Sequence, residues 1–284
     1  MGFKKGNRVR HPARSEWGLG KVLEDSAGGK ARVLFTSAGE RTLLLKHVAL
    51  TLVTGAEANA PVSGKAKRAA PKRRKEYKDI EQLKEKFLSQ YPGGFSGEKF
   101  IEVERDYKVK ACELMNELLN AQSFDQLLAA SDYAEVCKRA LQVANKSNLI
   151  FPNEKMSLKE GLKSPDGQKR FAESLHRLLY GQGTPEEQFN QFADCLLEIG
   201  ASKWPIATYY LFVAQPESQM FLKPIVTQDA AAVCGFELNY QKEPNWLTYK
   251  YLLDFSQDLM AKLADLKPQD MIDVQSFLWC IAQE

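Results

Sequence analysis

The residues best suited to chemistry in this chain are cations gathered around one aromatic ring. Lys4, Lys5, Arg8, Arg10, Arg14 and Lys21 surround Trp17 in the sequence. Ammonium and guanidinium groups neutralise phosphates, and an indole face offers a surface on which a base can stack. A second set follows in Lys65, Lys67, Arg68, Lys72, Arg73, Arg74 and Lys75. If about six of the cations in residues 65–78 reached phosphates, affinity would fall ~1000-fold between 50 and 200 mM salt. The two sets are the candidate nucleic-acid contacts. The competing readings are a solvated face with Trp17 packed on its rim, and a cationic run that lies on the chain's own acidic part until a stronger polyanion displaces it. Trp17 alone is too little for an aromatic cage around a methylated cation.

No catalytic residues are assigned. The stretch from Glu98 to Lys108 is rich in carboxylates, and two-metal hydrolysis needs converging carboxylates, often with a lysine. Glu102 and Asp106, four apart beside Lys99 and Arg105, instead read as a solvated helix face. Asp166 with Lys169 sits at a helix start, where an acid is expected on electrostatic grounds. Asp270 after Pro268 also reads as a helix-start residue, with Asp273 following. His11, His47 and His176 lie far apart, so no metal site and no cofactor is expected. The chain carries no glycine-rich phosphate loop, zinc-binding helix or nucleophile-elbow pattern.

The charge is strongly polarised. Residues 1–53 hold ten Lys/Arg against four Asp/Glu, and residues 54–78 hold eight against two. Residues 79–284 hold twenty-one against thirty. A cationic front and an anionic rear point to a negative ligand at one end and a different partner at the other. Five cysteines are widely spaced and odd in number. That argues against a disulfide framework and a paired-cysteine metal site, and it fits free thiols in a reducing cytoplasm. No signal peptide or apolar run of spanning length is seen, so no membrane partner is expected.

These residues must be positioned by short strands and then by helices. Residues 1–53 alternate with a strand period and are punctuated by turns. The expected strands are Arg8 to Arg10, Trp17 to Glu24, Lys30 to Phe35, Arg41 to Leu45 and Val48 to Val53. Five strands in so short a span bury enough only by closing into an SH3-like barrel. Residues 54–76 have one bulky apolar side chain and read as a basic, disordered linker. From Tyr77 onward the period is helical. Helices are expected over Ile80 to Leu88, Glu98 to Leu119, Phe124 to Ala144, Ser157 to Lys163, Ser164 to Tyr180 and Thr184 to Ile199. Further ones are expected over Lys203 to Ala214, Thr227 to Cys234, Asn245 to Leu266 and Lys267 to Ala282. Lys203 to Ala214 is so apolar that it reads as a central buried helix. The aromatics Tyr209, Tyr210, Phe212, Phe221, Tyr240, Trp246, Tyr249 and Tyr251 read first as core and second as a partner groove. The domain reading is therefore a five-stranded SH3/Tudor-like barrel at 1–53, a linker at 54–76 and a mainly α-helical domain at 77–284. The last is divisible at 150 into 77–150 and 151–284.

Gly6, Val9, His11-Pro12, Trp17-Gly18, Gly20 and Val22, with Val33-Leu34-Phe35 and Gly39, carry a resemblance. They resemble a prokaryotic Tudor/SH3-like small-barrel family whose members stand alone or are appended to superfamily-1 repair helicases. The stretch is also similar to RNA-polymerase-interacting modules of the CarD type. The likeness covers residues 3–53. It implies a barrel that binds nucleic acid or RNA polymerase. Ala13-Arg14-Ser15-Glu16, between Pro12 and Trp17, departs from polymerase-binding relatives, which are often shorter there. In the rear, Lys203-Trp204, Phe221 to Pro224 and Asp270 to Phe277 resemble an uncharacterised bacterial helical domain that accompanies restriction and phage-defence genes.

Together these readings describe a non-enzymatic, cytoplasmic, bacterial adaptor. The basic barrel and linker contact DNA or RNA, and the acidic helical domain contacts a protein, such as RNA polymerase, a helicase or a defence-system component. The alternatives are a transcription, repair or phage-defence factor that grips RNA polymerase or a helicase through the barrel, and a metal-dependent nuclease.

Overall fold

Residues alternating between apolar and cationic make the N-terminal strands, because successive side chains in a strand point to opposite faces. The computed structural model describes residues 2–12, 14, 17–26, 29–36, 39–45, 48–54 and 77–283. The chain divides into two compact units, Met1–Arg74 and Lys75–Glu284. The expected linker, with Lys65, Lys67, Arg68, Lys72, Arg73, Arg74 and Lys75, lies outside the described residues. So do His47 and the Ala13, Ser15 and Glu16 positions of the departure from polymerase-binding relatives.

The first unit is an antiparallel sheet of β1 (Arg8–Arg10), β2 (Gly20–Val22), β3 (Lys30–Phe35), β4 (Gly39–Leu44) and β5 (Thr51–Leu52). The order β4-β3-β2-β1-β5 is a meander whose last strand folds back beside the first, which is compatible with a small barrel. Val9, Val22, Ala31, Val33, Phe35 and Leu43 point inward and are buried. Gly6 takes a positive φ of 92°, which a glycine adopts without strain. Its amide donates to the Val22 carbonyl at 2.8 Å and so starts the β1–β2 pairing. Two expected strands are shorter than their apolar runs. Trp17 to Leu19 precede β2 as a turn, and Val48 and Leu50 are buried before β5 begins. Side-chain burial, rather than ladder pairing, is what those runs encode.

The second unit is helical: α1 (Ile80–Gln90), α2 (Glu98–Phe100), a π-helical turn (Ile101–Arg105), α3 (Asp106–Leu119), α4 (Ala121–Ala129), α5 (Tyr133–Asn145), α6 (Pro152–Gly161), α7 (Pro165–Tyr180), α8 (Pro185–Glu198), α9 (Trp204–Ala214), α10 (Pro224–Val233), α11 (Trp246–Lys262) and α12 (Met271–Ala282). The capping chemistry is where the sequence places it. Ser164 accepts from the Gly167 amide, and Thr184 accepts from the Glu187 amide while Glu187 reaches back. In α9 every residue from Trp204 to Val213 is buried, and it packs against α3, α6, α7 and α8. Its tyrosines remain satisfied, since the Tyr209 hydroxyl donates to the Val143 carbonyl at 2.8 Å and the Tyr210 hydroxyl to the Ala140 carbonyl at 3.1 Å. Of the aromatics weighed as a partner groove, Tyr209, Tyr210, Phe212, Phe221, Tyr249 and Tyr251 are core.

The single helix expected over Phe124 to Ala144 is two. Ser131 takes a left-handed φ of 56°, and Asp132 restarts the chain by accepting from the Glu135 amide. The run from Glu98 to Leu119 is continuous but contains the π turn. The turn shifts the buried stripe onto Phe100, Glu104, Lys108, Ala111, Met115 and Leu119. Glu102 and Asp106 are exposed, whereas Glu104 and Lys108 are inside, so this face is not wholly solvated. No described helix is long and apolar enough to cross a membrane.

Candidate nucleic-acid interface

The pleat of the sheet decides which cations stand together. Val9 is buried in β1, so Arg8 and Arg10 project from the opposite, outward row. Register then sets Arg8 directly across from Lys21 and Arg10 across from Thr51. Side chains directly opposite on one face are about 5 Å apart at Cβ, and like charges there repel. Lys4 and Lys5 are exposed in the turn that leads into β1. The backbone of this turn is pinned, the Lys4 amide donating to Asn7 Oδ1 at 2.8 Å and the Lys5 amide to Asp25 Oδ1 at 2.7 Å. Arg32 on β3 is also exposed but lies 3.4 Å from Glu24, which neutralises it.

Trp17 belongs to a different cluster. Its ring meets His11 edge-on at 4.9 Å and Phe35 at 5.1 Å, so one side is anchored to the buried interior. The Arg14 and Arg41 guanidinium groups lie 5.5 Å and 5.7 Å from the ring centroid, within cation–π range. The ring is half-buried, and it leans on the core at the rim of the sheet. The sequence places Arg14 near Trp17, but Arg41 lies on β4, so strand pairing brings it in. The expected cluster is thus divided: Arg8, Arg10 and Lys21 share the outward rows of β1 and β2, and Arg14 attends Trp17.

The acidic candidates are engaged elsewhere. The Arg105 guanidinium donates to both Asp270 oxygens, at 2.9 Å and 2.7 Å, and to Asp273 Oδ1 at 2.7 Å. Asp270 also accepts from the Ile272 amide at 2.9 Å as the cap of α12. Burial pushes the Asp273 carboxyl up. Asp166 pairs with Arg170 at 2.7 Å, and Lys169 lies 4.0 Å from Glu173. His176 sits 2.6 Å from Asp125 and edge-on to Phe124. Among the described residues no three His, Cys, Asp or Glu side chains are grouped to hold a metal ion, and the five cysteines are free thiols.

Glu104 and Lys108 form a network that sequence reasoning missed. Lys108 donates to Glu104 Oε2 at 3.2 Å and to Ser276 Oγ at 2.7 Å. The Tyr91 hydroxyl donates to Glu104 Oε1 at 3.1 Å. Burial pushes the Lys108 ammonium down to about 8, even though Glu104 favours its charge. The only sequence signal was two charged residues four apart, which any exposed helix shows.

Compared with known proteins, the chain matches one family model over residues 3–53, the stretch that builds the sheet, and that family is described as a protein of unknown function, DUF3553. No curated protein and no solved structure matches the chain.

Proposed function

We propose that this protein is a nucleic-acid-binding adaptor whose basic N-terminal unit grips the phosphate backbone. The observation that carries the reading is the register of β1 on β2, which sets Arg8 opposite Lys21 with Arg10 on the same outward row. The sheet order supports an SH3/Tudor-like barrel as the scaffold, with two arginines bracing Trp17 at its rim. The cations of residues 65–78 add reach along the same polyanion. The acidic helical unit would then carry the protein-binding role. The reading concerns affinity rather than base sequence, because phosphate contacts position a protein without specifying a site.

Fluorescence anisotropy of the full chain on labelled duplex DNA and RNA tests it. Binding should weaken as salt rises from about 50 to 200 mM, and Arg8→Ala with Lys21→Ala should reduce the log–log salt slope by about 2. Absence of binding at the lower salt, or binding indifferent to salt, overturns it. RNA polymerase or a helicase retained on the chain after nuclease digestion would move the role of this unit to protein docking.

A further inference from the structure

The helical unit contains a cavity of about 840 Å³, within the range of about 300–1,000 Å³ typical of binding sites. Its enclosed part holds Lys108 and Gln275, both buried. Its mouth is apolar: Val103 from the π-helical turn and Phe151 at the start of α6 line it, 51% and 48% exposed. The Phe151 ring is held in place. The Lys223 ammonium lies 3.3 Å from the ring centroid, and it is fixed by Glu154 at 2.9 Å and the Leu149 carbonyl at 3.2 Å. Lys223 is thus neutralised and braces the ring.

The apolar surface continues beyond the mouth. Along α6, Pro152, Lys155, Met156 and Lys159 fall at i, i+3, i+4 and i+7, which share one helix face. Pro152 and Lys155 line the cavity, and Met156 carries the face outward, 62% exposed. Single exposed apolar side chains need no explanation, whereas a group of them beside a cavity marks an interaction surface.

Charge selects the partner. Lys155 donates to the Ser147 carbonyl at 3.1 Å, a neutral acceptor. Among the described residues neither Lys155 nor Lys159 makes an ion pair. Burial lowers the Lys155 proton affinity and the Lys159 ammonium lowers it further, so the two cations act on the same space. They stand in a region, 79–284, that holds thirty Asp/Glu against twenty-one Lys/Arg. Most of that region repels an acidic chain, and this stripe attracts one. The chain's own basic run at 65–78 would meet like charge here.

We infer that α6 and the cavity mouth dock an acidic amphipathic helix of a partner protein, its apolar residues on Val103, Phe151 and Met156 and its carboxylates on Lys155 and Lys159. Helices that lie in grooves present apolar anchors at this same i, i+3, i+4, i+7 spacing. This docking face rests on the protein-binding role proposed for the helical unit and gives that role a place and a chemistry.

Fluorescence anisotropy of the full chain with three labelled synthetic helices of about 18 residues tests it. The first has leucines at i, i+3, i+4 and i+7 with glutamate and alanine elsewhere. The second has lysine for glutamate, and the third has serine for leucine. The first should bind at least about tenfold more tightly than the other two. The N-terminal cations also attract acids, so the decisive comparison is between variants. Met156→Glu should weaken the first peptide about tenfold, whereas Arg8→Ala with Lys21→Ala should leave that apolar dependence intact. Lys155→Glu with Lys159→Glu should narrow the gap between the first and second peptides. Met156 and Lys159 are exposed, so Met156→Glu and Lys159→Glu alone keep the test meaningful if the Lys155 variant fails to fold. Binding of duplex DNA should be unchanged in Met156→Glu, which separates this face from the phosphate grip. Unchanged peptide affinity in Met156→Glu, equal binding of the first two peptides, or a dimer in sedimentation that Met156→Glu dissolves overturns the assignment.

Discussion

At the residue scale, Arg105 shows what a charge needs in order to sit inside this protein. It makes a two-pronged bond to Asp270 and a third to Asp273, whose side chain is fully enclosed. The planar guanidinium matches the carboxylate geometry, as a lysine would not. Removing it leaves Asp273 charged and uncompensated, held only by the Gln269 amide at 2.7 Å. Arg105→Ala should therefore cost about 3–5 kcal/mol in urea unfolding. Arg105→Lys should recover only a part. A loss below about 1 kcal/mol would mean that this triad behaves as a surface pair. In the sequence Arg105 stood only as a neighbour of exposed acids, because its partners are 165 and 168 residues away.

At the element scale, two glycine questions have opposite answers. Ser131 holds a left-handed φ of 56° between α4 and α5. A side chain there costs about 1–2 kcal/mol that glycine avoids, while glycine costs about 0.5–1 in the unfolded chain. Ser131→Gly should thus raise the melting temperature slightly, and a clear drop would contradict the strain argument. Gly20 is the reverse case. A Cβ on it would stand 2.6 Å from Val33 Cγ1 and 2.8 Å from Phe35 Cε1, because β2 lies hard against the inward side chains of β3. Gly20→Ala should destabilise the sheet by about 1–3 kcal/mol through overpacking. Hydrogen exchange at Val22 and Val33 reads that loss, and unchanged protection would count against the tight approach. The sequence shows a glycine inside the expected strand Trp17 to Glu24, but the side chains that fill the space of its missing Cβ come from β3 and are set by strand pairing.

At the scale of the whole molecule, stability should depend on pH through groups buried in the helical unit. Burial pushes Cys112, Cys137, Cys195, Cys234 and Cys280 from 9.0 up to about 12, 12, 11, 12 and 11. Above pH 9 the unfolded thiols lose protons that the native ones keep, so stability falls as pH rises. Lys108 acts in the opposite sense. Its native value of about 8 lies below 10.5, so in that window the unfolded chain holds the extra proton and stability rises with pH. Glu104, Arg105, Tyr107 and Asp273 surround it and set the size of the effect. Five thiols outweigh one lysine. The melting temperature should be nearly level from pH 8 to 9 and decline beyond. Lys108→Met should remove the rising component, so that the melting temperature already declines between those values. A melting temperature still climbing above pH 9 would contradict the buried-thiol account.

What the sequence by itself determined is everything that neighbours along the chain decide. Ser164-Pro165 and Thr184-Pro185 start helices because capping and first-turn chemistry are local. The alternation of Arg8, Val9 and Arg10 puts one side chain inside and two outside, and the apolar run of α9 leaves it no solvated face. The charge polarity of the chain is likewise a matter of counting. Tertiary structure decided the rest. It set Arg8 against Lys21 and brought Arg41 to Trp17. It also turned Glu104 and Lys108 inward and placed Gln275 on the same cavity wall as three lysines. Each of these depends on strand register, on a π turn that shifts a helical face, or on partners more than a hundred residues away. A charged or amide side chain reads as solvated until the elements that desolvate it are in place.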